Sequence, residues 1–288
     1  MTSITFRTNA LIFSFALPTL ILAQDFEPGY IDPEPILAAA SAAIGEDRLS
    51  CISISGSAYT GMVGQQYINE YEVDWPRGKA LRNYNRLIDW ENVRMIETFD
   101  REPGNNPASW KYGLGWDSGM PVQKNEHQIF SLNGPHAWYQ DGGDGLPVAA
   151  QPIDAERWQL DMWLTPHGFL KAARLPGANS VATWRWELGE MGRDGATVSP
   201  EKVAIVSITL MGKYRVDATI NSQNLLQRIH TWVPDPVLGD ANYEHEFANS
   251  DYIDIGNGIK FPTVWHHHTG WDDNYQAQSI HAGHNAFG

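Results

Sequence analysis

Alternation of apolar and polar residues between Val203 and Thr263 constrains the fold more than any other feature of this sequence. The clearest run places four apolar residues at every second position: Tyr214, Val216, Ala218 and Ile220. A period of two is typical of a strand with one buried face. Short turn signals, among them Met211-Gly212 and Gly256-Asn257-Gly258, separate five such runs. The stretch therefore predicts an antiparallel meander of five strands.

The residues before this stretch predict more strands of the same sheet. Apolar or alternating segments occupy residues 49–59, 65–73, 80–90, 93–99, 126–132, 136–139 and 181–188. Within the meander, Pro234-Asp235-Pro236 is expected to end the strand that starts at Leu225, because proline cannot donate to a strand ladder. The predicted fold class is mainly β (α+β), with one antiparallel sheet curled around a helical cover.

Two regions carry helix signals instead. Asp32-Pro33 is expected to begin an N-terminal helix that ends at Gly45. Asp154 is expected to cap a second helix, and Thr165-Pro166 a third. A helix, a tight break and another helix beside a large sheet predict a cover over one face, at about residues 154–173.

The first 23 residues have the pattern of a cleaved secretory signal peptide. Arg7 precedes a largely apolar run from Ala10 to Ala23. Fourteen helical residues reach only about 21 Å, against a hydrocarbon core of about 30 Å, so a stable membrane span is not expected. We expect an exported protein, periplasmic or secreted, with a linker at 24–31 and one domain at 32–288.

Composition restricts the partners. A formal charge of −14 argues against nucleic acid and against an anionic membrane surface. Twelve tryptophans and eleven tyrosines favour strands and also line apolar clefts. The sequence is therefore compatible with a sheet whose concave face is apolar.

Several short segments together resemble the exported bacterial β domain that precedes metallo-β-lactamase-fold hydrolase domains. They are Trp163 to Phe169, Gly212-Lys213-Tyr214, Ile220-Asn221 with Asn224-Leu225, Thr231 to Pro234, Pro236 to Asp240 and Phe261-Pro262-Thr263. That domain is similar to the lipoprotein-carrier fold, a curved antiparallel half-barrel with helices across its mouth. The resemblance covers roughly residues 32–280. It implies a hydrolase domain, attached or separate, as a partner.

The chain departs from that family in its metal motif. No His-x-His-x-Asp-His run occurs in the sequence, so no catalytic residue can be transferred from the hydrolase. We expect no cofactor, and zinc only if a hydrolase domain is attached. Whether the chain is an enzyme stays open.

The histidines near the C-terminus are weak candidates for metal ligands. His266 and His268 can share one strand face, which His267 cannot, and His281 and His284 follow. A solvated strand end is the preferred interpretation of all four, and the sequence assigns no metal site.

Ligand-binding candidates come from the predicted cover and sheet. They are Trp158, Met162, Trp163, His167, Phe169, Tyr214 and Trp232. For His167 the preferred interpretation is a buried ring that packs on aromatics and bonds a carbonyl, and the alternative is a ring that points into the concavity. Three functional classes remain: a non-catalytic domain that binds an apolar or lipid-like ligand, a module that supports a hydrolase domain, and a metal-dependent hydrolase with ligands outside the absent motif.

Overall fold

A computed structural model describes residues 29–61, 77–101, 126–141, 145–188, 200–235, 239–247, 252–269 and 279–286. The expected signal peptide, the predicted strand at 65–73 and most of the expected linker lie outside these residues. Within them are fifteen strands and three α-helices: one helix precedes the first six strands, and the other two precede the last nine.

The helices follow the sequence signals closely at their C-terminal ends. Helix α1 spans Glu34–Ile44 and ends at Gly45, whose φ of 68° is left-handed. Helix α2 spans Pro152–Trp163 and begins three residues earlier than expected, so Asp154 lies in its first turn and Gln151 occupies the N-cap position. Helix α3 spans Pro166–Ala172, and the Thr165 hydroxyl caps it by accepting from the Gly168 N–H, as predicted. We call α2 and α3 together the cover.

The strands of the first half of the chain form hairpins. Their bounds are β1 Cys51–Gly61, β2 Arg77–Asp89, β3 Arg94–Arg101, β4 Glu126–Asn133, β5 His136–Asp141, β6 Val148–Ala149 and β7 Val181–Leu188. The second half contains β8 Pro200–Leu210, β9 Tyr214–Ile220, β10 Leu226–Asp235, β11 Gly239–Glu246, β12 Tyr252–Asp254, β13 Lys260–Pro262, β14 Val264–Thr269 and β15 Ser279–Ala286.

Thirteen of these strands form one antiparallel sheet. Its order is β6-β5-β4-β3-β2-β1-β15-β14-β11-β10-β9-β8-β7, and β12 pairs with β13 in a separate two-stranded sheet. The strand β15, which the sequence did not predict, joins the two halves by pairing with β1 on one side and β14 on the other. The predicted fold class is therefore confirmed.

The sheet curves around the cover. On α2, Gln159 donates to the carbonyl of Gly134 in the β4–β5 turn, and Glu156 accepts from the hydroxyl of Tyr214 at the start of β9. These helix positions are only about 4.5 Å apart along the axis. In a flat sheet, the eight strand spacings from β4 to β9 would measure about 38 Å. One short helix can contact both strands only because the sheet bends toward it.

The core lies between the bent sheet and the helices. The side of the sheet that faces the cover, called the inner face, carries the buried residues Ile54, Ile88, Val206, Val216 and Ile229. Glu46, which follows α1, is buried and accepts from Ser41 as well as from Lys171 and Arg174 at the end of the cover. The N-terminal helix is thereby joined to the cover.

Two details of the predicted meander were wrong. Strand β10 continues through Pro234 to Asp235, because its pairing with β9 ends at Thr231↔Val216 and proline needs no donor on that side. The fifth strand predicted from Ile259 is divided: β13 pairs with β12, and β14 alone joins the main sheet beside β11. No described helix has the length and apolar character that crossing a membrane requires.

Candidate functional site

The predicted ligand-binding residues of the cover are packed into the core. Met162, Trp163 and Phe169 are buried, and Trp158 is half-buried with its ring edge against Phe130, at a centroid distance of 5.0 Å. Tyr214 is buried opposite them on the inner face. The structure therefore brings these residues together, and a ligand could reach most of them only by displacing the cover.

Trp232 does not share this environment. Strand alternation puts Thr231 and Val233 on the inner face, where both are buried, and directs Trp232 to the outer face. Its side chain is 41% exposed and meets the ring of His230 edge-on at 5.0 Å. The sequence grouping of Trp232 with Tyr214 was wrong because the poor alternation of β10 concealed which side was buried.

His167 is a buried ring in the first turn of α3. It stacks between Trp90 and Phe261, at centroid distances of 6.0 and 5.6 Å, and its Nε2 lies 3.3 Å from the carbonyl oxygen of Ile44. These contacts match the interpretation of His167 as a buried ring that packs on aromatics and bonds a carbonyl. Burial lowers the pKa of His167 to about 4, and the contact with Ile44 opposes this shift only in part.

The depressed pKa of His167 predicts acid sensitivity. Between pH 6.5 and about 4 the unfolded chain binds a proton at this position that the folded chain does not, so stability falls as pH falls through this window. The expected contribution is about 3 kcal/mol. Urea unfolding of the parent and of His167→Gln across this range measures it, and the variant should show a flatter profile.

The control for this prediction is His136→Gln, because His136 is exposed at the start of β5. Its profile should follow that of the parent. Lys171 and Glu46, the charged groups whose fields act on His167, are unchanged in both variants. Equal pH dependence in the parent and His167→Gln would contradict the assignment.

A buried polar cluster lies where α2 crosses the inner face. Asp161 of α2 is 6% exposed, and its Oδ2 is bonded to the guanidinium of Arg86 on β2. The same guanidinium nitrogen lies 3.3 Å from Glu97 Oε2 on β3, directly across the strand pair. Arg86 therefore bridges one carboxylate of the sheet and one of the cover.

The other oxygen of Asp161 faces two histidines from the second half of the sheet. Its Oδ1 lies 3.0 Å from His245 Nε2 on β11 and 4.0 Å from His267 Nδ1 on β14. His245 and His267 are direct cross-strand partners, and their ring centroids are 4.5 Å apart. The hydroxyl of Tyr243 also donates to this oxygen at 3.3 Å.

The charges of this cluster stabilise one another. Burial by itself would raise the pKa of Asp161, but the Arg86 guanidinium and the nearby imidazoles hold that pKa well below its usual range. Burial would likewise lower the pKa of Arg86, and Asp161 and Glu97 raise it instead. Asp161 is therefore a carboxylate, and Arg86 a cation, in the folded protein.

Sequence reasoning did not find this cluster, although its signals were present. Tyr243 and His245 on β11 and Phe247 just after it occupy every second position, and all three are buried. Alternation along a strand predicted that His267 does not share the face of His266 and His268. In the structure His267 lies on the inner face of β14, near Asp161. Nothing local marked Asp161, because a single acidic residue on a helix is usually solvated.

The four weak metal candidates are only partly brought together. Strand register places His266 opposite His281, and His268 opposite Glu244. His284 pairs with Gly56 of β1. The preferred interpretation of these four histidines, a solvated strand end with no metal site, stays a prediction.

The inner face extends beyond the cover at strand β7. Ala182 is buried opposite Val206, but Trp184 and Trp186, which follow on the same side, are 44% and 70% exposed. The ammonium of Lys202, the cross-strand partner of Trp186, lies 4.9 Å from the ring centre of Trp184. An aromatic surface with an adjacent cation thus lies at the uncovered edge of the inner face.

Comparisons with known proteins give structural similarities at low sequence identity and no family match. A scan against protein-family models gives no match, and neither does a search of curated proteins. The structure is similar to that of a LolA superfamily protein from Nitrosomonas europaea, with 12% identity, a TM-score of 0.43 and coverage of 89% of this chain and 93% of that one.

Two further solved structures are similar to the same degree. A DUF1329 family protein from Desulfovibrio piger has 11% identity and a TM-score of 0.42, over 88% of this chain and 92% of that one. A putative outer membrane lipoprotein-sorting protein domain from Vibrio parahaemolyticus has 8% identity and a TM-score of 0.44, with the same coverage. The site is therefore interpreted from the residues of this chain, and a hydrolase partner remains an expectation from the sequence resemblance.

Proposed function

We propose that this chain is an exported, non-catalytic protein that binds an amphipathic, lipid-like molecule with an anionic head. The observation that carries the proposal is the exposed pair Trp184 and Trp186 on the inner face of the edge strand β7. Single exposed apolar residues are common and need no explanation. Two neighbouring tryptophans that continue the core-facing side of a sheet form a contiguous apolar surface.

Lys202 supports the choice of an anionic head. Its ammonium lies over the Trp184 ring, so a carboxylate or phosphate held there would be next to the apolar surface. The apolar chain of the ligand would cover the exposed faces of the two indoles. The cover residues predicted to bind the ligand, such as Trp163 and Phe169, would then belong to the packed core instead.

The double variant Trp184→Ala/Trp186→Ala tests this surface. We expect its affinity for a fluorescent fatty-acid probe to fall by about tenfold or more, because aromatic anchors supply most of the energy of such contacts. Lys202→Gln should weaken binding less and should reduce its dependence on salt. Probe fluorescence with competition by unlabelled fatty acid measures both.

Trp232→Ala is the matched control, since Trp232 is similarly exposed but lies on the outer face. It should bind the probe as the parent does. A parent protein that binds no probe, or an equal loss in Trp232→Ala and the double variant, would refute the proposed function.

A further inference from the structure

Three side chains from distant parts of the chain converge in the polar cluster with metal-ligand chemistry. Asp161, His245 and His267 each offer one ligand atom, and these atoms lie within 4.8 Å of one another. They come from the cover and from two adjacent strands of the inner face. Two histidines and one carboxylate form a donor set that suits divalent zinc and iron and leaves further coordination positions open.

The separations are close to those of ligands around one ion. Two ligand atoms at about 2.0–2.1 Å from a tetrahedral zinc are about 3.3 Å apart. Asp161 Oδ1 is 3.0 Å from His245 Nε2 and 4.0 Å from His267 Nδ1. All three ligand atoms lie within 4.8 Å of one another, so side-chain movements that together shorten the widest separation by at most about 1.5 Å would place them on one ion.

The surroundings of His245 point in the same direction. The residue is 1% exposed, and within the described part of the chain neither of its ring nitrogens has a hydrogen-bond partner of acceptable geometry. Its Nε2 is near Asp161 Oδ1, but the two atoms are not aligned as donor and acceptor. Buried polar groups normally have a hydrogen-bond partner or bind an ion. A single ion bound by both His245 and Asp161 would satisfy the two neighbouring atoms at once.

Asp161 is already oriented for this role. Arg86 holds its Oδ2, which leaves Oδ1 directed at the two imidazoles. Hydrogen bonds to the second oxygen of a carboxylate ligand are a regular feature of metal sites. Arg86, Glu97 and Asp161 together carry one net negative charge, which a cation held between Asp161 and the two histidines would offset.

We propose that Asp161, His245 and His267 bind one divalent transition-metal ion, for which Zn²⁺ is the best-suited common candidate. The ion would connect α2 of the cover to β11 and β14 of the sheet. This inference is independent of the proposed lipid-like ligand, since Trp184 and Trp186 take no part in it. It differs from the expectation from sequence, which allows zinc only if a hydrolase domain is attached.

Titration of the chelator-treated full chain with Zn²⁺ and with Co²⁺ tests the site. We expect about one equivalent to bind, Co²⁺ to show visible ligand-field absorption, and the thermal midpoint to rise by about 5–10 °C at 100-fold excess over Kd. His245→Gln and Asp161→Asn should each weaken binding by at least about 100-fold, the upper limit for loss of a mere hydrogen-bonding partner of a ligand.

His230→Gln is the control, because His230 lies on the outer face near Asp217 and Glu244 and should not affect the ion. Loss of binding in this variant with retention in His245→Gln would overturn the proposal. The parent protein provides a test that no folding defect can obscure: anomalous diffraction from metal-soaked crystals should place the ion between Asp161 and the two histidines.

The competing arrangement is an imidazolium that neutralises Asp161 without any metal. In that case the folded parent binds neither ion, its thermal midpoint does not respond to zinc, and the proposal fails. Metal bound at His266 and His281 instead would also overturn it. None of these outcomes depends on whether the protein binds a fatty-acid probe.

Discussion

Replacing Arg86 by methionine is expected to lower the free energy of unfolding by about 3–5 kcal/mol. The substitution retains most of the buried volume but leaves Asp161 and Glu97 without their shared cation. An uncompensated carboxylate in the interior is strongly destabilising, because desolvation is no longer offset by the ion pair. Urea unfolding followed by circular dichroism measures the effect.

Two further variants serve as comparisons for the unfolding free energy of Arg86→Met. Arg185→Met removes an ion pair with Glu187 in which the arginine is about half exposed, and it should cost at most about 1 kcal/mol. Arg86→Met/Asp161→Asn removes both charges and should recover at least about 1 kcal/mol relative to Arg86→Met alone. A loss below about 1 kcal/mol in Arg86→Met would show that this pair does not hold α2 against the sheet.

The second large effect is expected for Trp163→Ala, at about 3–5 kcal/mol. Trp163 ends α2 and is buried in the core together with Leu160, Leu164 and Phe169. Removal of its indole leaves a cavity that the surrounding residues fill only in part. Thermal and urea unfolding should both report the loss, and the affinity of the folded protein for the fatty-acid probe should remain.

Trp184→Ala is the comparison for this variant. Trp184 is an exposed tryptophan on β7, so its loss should change stability by no more than about 0.5 kcal/mol while it weakens probe binding. The opposite pair of results, a stable Trp163→Ala that no longer binds the probe, would place the ligand beneath the cover. The two tryptophans thus separate a packed core from a binding cavity.

Local signals in the sequence were sufficient for most of the secondary structure. The alternation of Tyr214, Val216, Ala218 and Ile220 predicted β9, and Asn133-Gly134 marked the turn between β4 and β5. Thr165-Pro166 predicted the cap and first residue of α3 correctly. These features involve only neighbours along the chain, so spacing and residue type decide them.

Local sequence signals gave wrong or incomplete predictions where a partner strand or a distant segment decides the end of a strand or the exposure of a side chain. Pro234 does not end β10, because whether proline is tolerated depends on which side of the strand is paired. The faces of Trp232 and Trp184 also required the strand register, since alternation alone does not tell which side is covered. Trp184 lies on the core-facing side and is nevertheless exposed, because the cover ends before it.

The sequence by itself determined that this chain forms an antiparallel sheet with a two-helix cover. Only the tertiary structure decided that Arg86, Asp161, His245 and His267 meet, because their strands and helix are far apart along the chain. Their convergence depends on the bend of the sheet and on the insertion of β15 between β1 and β14. Period-2 alternation fixes the face to which a side chain points, whereas curvature and strand order fix what it meets there.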